Sequence, residues 1–269
     1  MISFQDILGK AKPGKVVVAP RPAPALSRLL EQQKKAGQEL TVKEDFSSAV
    51  LQEIQQGFEQ GKWDVFLQGD ISLKNFFELL AAGGMNLERM GFVSLFEDRI
   101  RHKLLFVVDT YIQNHPSFRA KTLLLEMTIN LARSLGVEQP RVAVLSALET
   151  VNPAMVSSIE AAALSKMADR GQFAAVVEGP LDIDSALSSE AAQRKGVLSP
   201  VPGEVDILLC PEIESGYALS CFLSGLGRMP VAGVLLGAQL PIIIQPEHIP
   251  LLHKDVELAV ASLRKEMEW

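Results

Sequence analysis

Between Arg141 and Gly216 the chain alternates in a way that few folds can accommodate. An apolar run of the kind that fills a buried strand, Val142-Ala143-Val144-Leu145, gives way to a polar segment from Ser146 to Pro153. Helical periodicity then runs from Ala154 to Arg170 and is closed by Gly171. A second apolar run, Ala174 to Val177, enters another polar segment, Glu178-Gly179-Pro180-Leu181-Asp182-Ile183-Asp184. Continuously apolar strands are covered on both faces, and strands joined through a helix pair in parallel by a right-handed crossover. In such a sheet the loops leaving the carboxyl ends of the strands border one crevice, where ligands bind. The two polar segments carry carboxylates and a Pro or Gly that fixes a turn, so the functional region is expected there.

The same alternation extends over most of the chain. Strands are expected at 15–18, 64–67, 92–96, 103–108, 206–209, 231–235 and 241–244, and helices at 25–36, 46–60, 73–82, 117–135, 213–225 and 255–266. A further helix runs on from Asp184 to about Lys195. Pro20, Pro22 and Pro24 forbid extending the first strand, and the pair Gly83-Gly84 stops the third helix. The runs at 92–96 and 103–108, separated by a charged turn, are either a hairpin or sheet neighbours. The pattern argues for an α/β fold with mainly parallel sheets and flanking helices. A boundary is expected around 109–116, where a strand ends in a polar, proline-containing loop.

At 269 residues the chain can bury a sizeable core. Its formal charge of −6 and the lack of a basic stripe argue against a nucleic-acid partner. Cys210 and Cys221 lie in apolar surroundings without a partner motif, as reduced thiols of a cytosolic protein do. No secretory leader is expected at 1–13, and no apolar run approaches the roughly 20 residues of a membrane helix. The expectation is therefore a cytoplasmic protein.

Glycine-rich phosphate loops, nucleophile elbows and zinc-protease helices are absent from the sequence. His248 and His253 flank Pro250 and share no helix face, so no metal site is expected. What remains are carboxylates at loop positions: Asp109, Glu149, Asp182, Asp184, Glu212 and Glu214. Asp184 is placed to cap a helix opening at Ser185.

These residues sit in segments that resemble the phosphate acetyl/butyryl transferase family, the phosphate butyryltransferase branch most of all. The resembling segments are Leu145-Ser146-Ala147 with Glu149 and Val151-Asn152-Pro153; Ala161 to Gly171; Glu178-Gly179-Pro180-Leu181 with Asp184; Ser188 to Gly196 with Ser199-Pro200-Val201; Asp206 to Leu209 with Pro211; Glu214 and Gly216; and Val231-Ala232-Gly233 with Gly237-Ala238 and Pro241. The resemblance implies two α/β domains similar to isocitrate and isopropylmalate dehydrogenases, with the active site in a cleft between them. On that template the first domain is 1–108 plus 245–269 and the second 109–244. It further implies transfer of an acyl group between coenzyme A and phosphate, with coenzyme A as substrate rather than bound cofactor, no metal, and a homodimer. Asp109, Glu149, Asn152 and Asp184 are then the catalytic candidates. Gly179, Pro180, Gly216 and Gly237 are the substrate-binding candidates, with Gly179-Pro180 letting the backbone approach a ligand.

The chain departs from the family pattern at several positions. Pro246-Glu247 stands where the family carries a Ser-Arg pair, and Ile249 where an Asp follows. Gln68-Gly69 replaces a Lys-Gly, Gly91-Phe92 a Ser-His, and Tyr217 an Asn. A carboxylate cannot take over bidentate phosphate binding from an arginine. Three readings stay open on the sequence: an acyltransferase in which Arg228, His248 or Lys254 supplies the positive charge; a family member that has lost transfer and binds CoA or another ligand as a sensor or partner; and a related enzyme with another substrate.

Overall fold

The computed structural model describes residues 2–250 and 253–264. In chain order the elements are α1 (Phe4–Lys10), β1 (Lys15–Ala19), α2 (Pro24–Lys35), β2 (Glu39–Val42), α3 (Ser48–Glu59), β3 (Val65–Gln68), α4 (Leu73–Ala82), β4 (Gly91–Asp98), β5 (Lys103–Val108), α5 (Phe118–Ser134), β6 (Arg141–Leu145), α6 (Val156–Asp169), β7 (Val176–Leu181), α7 (Ile183–Leu187), α8 (Ser189–Arg194), β8 (Ile207–Leu209), α9 (Ile213–Gly225), β9 (Val231–Leu236), β10 (Ile242–Ile243) and α10 (Lys254–Arg264). The fold is α/β with mainly parallel sheets, as the alternation predicts. The short α1 and the half-exposed β2 went unread, because neither carries a strong apolar period. The end of the helix expected at 255–266 lies outside the described residues. No helix of the described residues is long and apolar enough to cross a membrane.

The chain divides into two compact units, one of residues 91–230 and the other of residues 4–90 with the chain from 231 on. This division differs from the expected cuts at 108/109 and 244/245. β4 and β5 are antiparallel partners, Ser94 opposite Val107 through Asp98 opposite Lys103, so a cut after β5 would split a sheet from its own hairpin.

In the unit built on residues 4–90, the sheet order is β10-β3-β1-β2, all parallel. Val16, Val18, Val65, Leu67 and Ile243 of its strands meet Leu26, Leu30, Leu258 and Ala261 of α2 and α10 in one apolar cluster. Phe46, Phe66 and Phe76 stack at centroid distances of 5.2–5.5 Å on the face toward α4. The apolar positions of α3, Leu51 and Ile54, recur at helical spacing and are fully buried. Its amino end is capped by Ser47, whose hydroxyl accepts from the Val50 N–H at 3.4 Å. Ser47→Ala is expected to cost about 1 kcal/mol, since it strands a helix-end donor. Denaturant unfolding would show a lower midpoint at unchanged slope.

In the unit of residues 91–230 the sheet runs β7-β6-β8-β5-β4. Its strands β7, β6, β8 and β5 are mutually parallel. The chain leaves β6 outward to β7, then returns to lay β8 between β6 and β5, and α9 leaves β8 in the opposite direction. In sheets of this kind, ligands bind outside the carboxyl ends of the strands where such a reversal of direction falls, here between β6 and β8. α5 and α6 pack on the sheet, α5 on β5 and β8 and α6 on β6 and β7, while α9 packs on β5.

Candidate active site

Four loops leave the carboxyl ends of the adjacent parallel strands β7, β6, β8 and β5, and they carry most of the residues singled out in the sequence. Asp109 ends β5 and is buried, with 3% of its surface exposed. Its Oδ1 accepts the N–H groups of Phe92, Tyr111 and Ile112 at 3.2, 2.8 and 3.0 Å, and its Oδ2 accepts that of Gln113 at 3.0 Å. Burial pushes this carboxyl up, and the four donors oppose the shift. Asp109 is thus committed to holding the loop that follows β5. Thr110 continues the clamp: its hydroxyl meets Ser94 at 2.9 Å, and Ser94 in turn accepts from Ser220 of α9 at 2.8 Å.

Gly216, in the first turn of α9, is packed on the same backbone. A Cβ there would stand 2.0 Å from the Asp109 carbonyl oxygen. Gly216→Ala is therefore expected to destabilise the protein by about 2–3 kcal/mol, because a helix and a strand end must separate to admit the methyl. A thermal melt unchanged from wild type would refute this. Cys210, next to the same loop, is fully buried. Burial, with the Asp109 charge adding, pushes its thiol up to about 12. A thiol reagent near neutral pH is expected to modify only the half-buried Cys221 while the protein stays folded.

Asn152 lies in the loop between β6 and α6. Its Oδ1 accepts from the Ala154 N–H at 2.9 Å, and its own N–H donates to Ser158 Oγ at 2.9 Å. These bonds make a turn that delays α6 to Val156, two residues later than the periodicity predicts. Glu178, Gly179, Pro180 and Leu181 were read as loop, but they continue β7. After a register shift between Ala143 and Leu145, β6 pairs again with Leu145 opposite Leu181, so the strand survives its Gly-Pro. The bareness of Gly179 serves this packing: a Cβ would lie 2.9 Å from Val144 and 3.1 Å from Ala161. Gly179 and Pro180 are both buried.

The cap of α7 is also shifted from expectation. Asp182, not Asp184, accepts the Ser185 N–H, at 2.8 Å, and Asp184 falls in the helix's first turn. The expected single helix to Lys195 is two helices, divided at Ser188, whose hydroxyl accepts from Ala191 N–H and starts α8. Folding α8 back brings Lys195 onto the loop carboxylates. Its Nζ lies 2.5 Å from Asp182, 3.0 Å from Glu149 and 3.6 Å from Asp184. Glu149 Oε1 also accepts from Ser185 Oγ at 2.9 Å. Burial opposes ionisation of Asp182, but the Lys195 and Ser185 hydrogen bonds prevail and hold its carboxyl far below the usual range. Its hydrogen bonds to Asp182 and Glu149 raise Lys195 above the ordinary lysine range. The structure thus brings the sequence candidates Glu149 and Asp184 together around Lys195, which reads locally as an ordinary basic residue closing a helix.

In the other unit, Gly237 follows β9 at φ +76°, and a Cβ would stand 1.9 Å from the Arg89 carbonyl oxygen. Gln68 and Gln245 join the ends of β3 and β10: Gln245 N–H donates to Gln68 Oε1 at 2.8 Å and Gln245 Nε2 to the Gln68 carbonyl at 2.5 Å. Pro246 beyond them is buried and Glu247 exposed. Of the cations considered as replacements for the missing arginine, Lys254 is buried and paired with Glu257 at 2.5 Å. Burial lowers the His248 pKa, which disfavours its cationic form. Arg228, in the first-described sheet's companion unit of residues 91–230, is exposed at φ 50°. Among the described residues, His115, Glu212 and Glu214 bring three ligand atoms within 4.8 Å of one another. All three are exposed, a common arrangement of surface acids without an ion.

A family model, Phosphate acetyl/butaryl transferase, matches residues 83–246, more than half of the chain. The chain belongs to this family. Within it, the chain is 36% identical over 208 residues to a phosphate acetyltransferase of Rhizobium meliloti, a match covering 76% of this chain and 66% of that protein. It is 34% identical over 207 residues to a phosphate butyryltransferase of Clostridium acetobutylicum, covering 76% and 69%. The chain thus spans about two thirds of the length of these relatives. Among solved structures, a branched-chain phosphotransacylase from Enterococcus faecalis V583 superposes with a TM-score of 0.78 at 25% identity, covering 93% of this chain and 99% of that one. The matched segment contains β4 to β10 together with Asp109, Glu149, Asn152, Asp182, Asp184 and Lys195.

Proposed function

We propose that this chain is a phosphate acyltransferase, interconverting acyl-CoA plus phosphate with acyl phosphate plus CoA. The observation that carries the reading is the fold-wide likeness to a branched-chain phosphotransacylase together with the identity to both acetyl and butyryl transferases. In the direction of acyl-CoA formation, the CoA sulfur attacks the acyl phosphate carbonyl. The C–S bond forms, the bond to the phosphate oxygen breaks, phosphate leaves, and the thiol proton passes to a base.

Glu149 is the base this reading favours. Asp109 is saturated by backbone donors, Asp182 is held ionised as a cap, and Asp184 is exposed. Glu149 is only partly exposed, is oriented through Oε1 alone, and has no donor among the described residues on Oε2. A base in that state can accept a proton within hydrogen-bond reach. The cluster around it, three carboxylates to one ammonium, suits deprotonating a thiol and would repel phosphate. Asn152 shapes the loop that carries Glu149. The same reading includes a cytoplasmic homodimer without a resident cofactor or metal.

The test is release of CoA from butyryl-CoA or acetyl-CoA, followed with a thiol reagent after blocking Cys221. Release that depends on phosphate is expected. CoA that raises the melting temperature without any release would overturn transfer in favour of a binding protein. Sedimentation at micromolar concentration tests the dimer, and a monomer there would remove that part of the reading.

A further inference from the structure

We propose that Lys195 is a positioning residue for Glu149, tying the β6–α6 loop to the start of α7 so that the Glu149 carboxylate is presented in one orientation. The proposal rests on the acyltransferase reading for its kinetic part and on geometry for the rest. Glu149 stands on a loop of ten residues between β6 and α6, and no backbone pairing fixes its side chain. Two donors converge on the same oxygen, Ser185 Oγ at 2.9 Å and Lys195 Nζ at 3.0 Å, and the Asp182 carboxyl lies beside it. Ser185 is buried and held by the α7 cap, so it supplies a fixed point. Lys195 supplies the charge.

Lys195 is badly placed to be a phosphate ligand itself. Asp182, Asp184 and Glu149 surround its ammonium, and the pairs to Asp182 and Glu149 are within hydrogen-bond distance. A substrate phosphate would have to displace carboxylates already in contact. The ammonium instead offsets repulsion among three acids that the ends of β6 and β7 force together. Without it, Glu149 would be driven from Asp182 toward solvent, since like charges a few ångströms apart repel. A reacting group displaced by about 1 Å loses on the order of a hundredfold in rate.

The experiment compares wild type, Lys195→Gln, Lys195→Arg, Glu149→Gln and the double variant Glu149→Gln/Lys195→Gln. Lys195→Gln is expected to lower kcat by about 10- to 100-fold with KM for CoA and phosphate little changed, and Lys195→Arg to restore most of it. In the Glu149→Gln background, adding Lys195→Gln is expected to cost nothing further, because both changes act through one group. A lysine that only stabilised the fold would lower both backgrounds equally. Amide hydrogen exchange is run on the same proteins and needs no turnover. Residues 146–155 and 182–187 are expected to exchange faster in Lys195→Gln than in wild type, with β6 and α6 unaltered. Unchanged exchange, or equal kcat losses in the two backgrounds, would overturn the proposal. An inactive wild type with loop exchange that responds to Lys195→Gln would instead sink the acyltransferase reading and leave the tether standing.

Discussion

Asp109→Ala is expected to lower the stability of the protein by about 4 kcal/mol, because it removes a buried carboxylate that four backbone N–H groups use as acceptor. The carboxylate accepts from Phe92, Tyr111, Ile112 and Gln113, and all four bonds vanish together. Each buried, unsatisfied donor costs about 1–3 kcal/mol, and partial relaxation of the loop toward water reduces the sum. Thermal melts should fall by about 8–16 °C for a protein of this size. Asp109→Asn separates the acceptor from the charge. The amide oxygen can still serve the three donors on Oδ1, whereas the amide nitrogen faces the Gln113 N–H, donor against donor. It should cost only about 1–2 kcal/mol. If Asp109 is a clamp, Asp109→Asn retains most transfer activity; if it is the base, that variant is inactive while folded.

Glu149→Gln is the complementary experiment, with its large effect on rate. General-base catalysis contributes about 10²- to 10⁴-fold, and kcat for CoA release is expected to fall within that range. Binding should survive, because glutamine keeps the oxygen that accepts from Ser185 and remains nearly isosteric. The melting temperature should move little, since an exposed or half-exposed ion pair contributes about 0–1 kcal/mol. A folded Glu149→Gln variant with wild-type kcat would remove Glu149 from the chemistry and, with it, the role given to Lys195.

The cluster also has a defined pH response. The folded-state pKa of Asp182 is depressed, so its ion pair contributes stability above the unfolded carboxylate range and loses it as pH falls below that range. The Lys195 pKa is raised, so its share is complete below the ordinary lysine range and is lost as pH rises beyond it. Between those limits, across neutral pH, the tether is intact. Lys195→Gln should accordingly remove part of the acid-side dependence of stability seen in wild type.

Most of the element order could be read directly from residue patterns. The helix at 213–225, the strand at 103–108 and the helix at 73–82 appear at the expected bounds; α4 has a clean apolar period between Ser72 and Gly83, and β5 is a continuous apolar run. Errors arose where local chemistry met a tertiary partner. Gly179-Pro180 has every local mark of a turn, yet β6 keeps it in a strand by shifting register at its own end. Asp182 and Asp184 are equally good caps by type, and only the path out of β7 decides between them.

Periodicity and composition by themselves determined an α/β chain with mainly parallel sheets and the loops that hold the candidate residues, and the resemblance of its motifs pointed to the family. These are properties of neighbours along the chain, and short-range spacing records them. The tertiary structure decided what surrounds each candidate. Asp109 and Gly216 meet because α9 packs on β5. Glu149 and Lys195 are 46 residues apart and touch only because β7 lies beside β6 and α8 folds back over their ends. A side chain's charge is written in the sequence, but its partner is set by strand order, which no local pattern encodes.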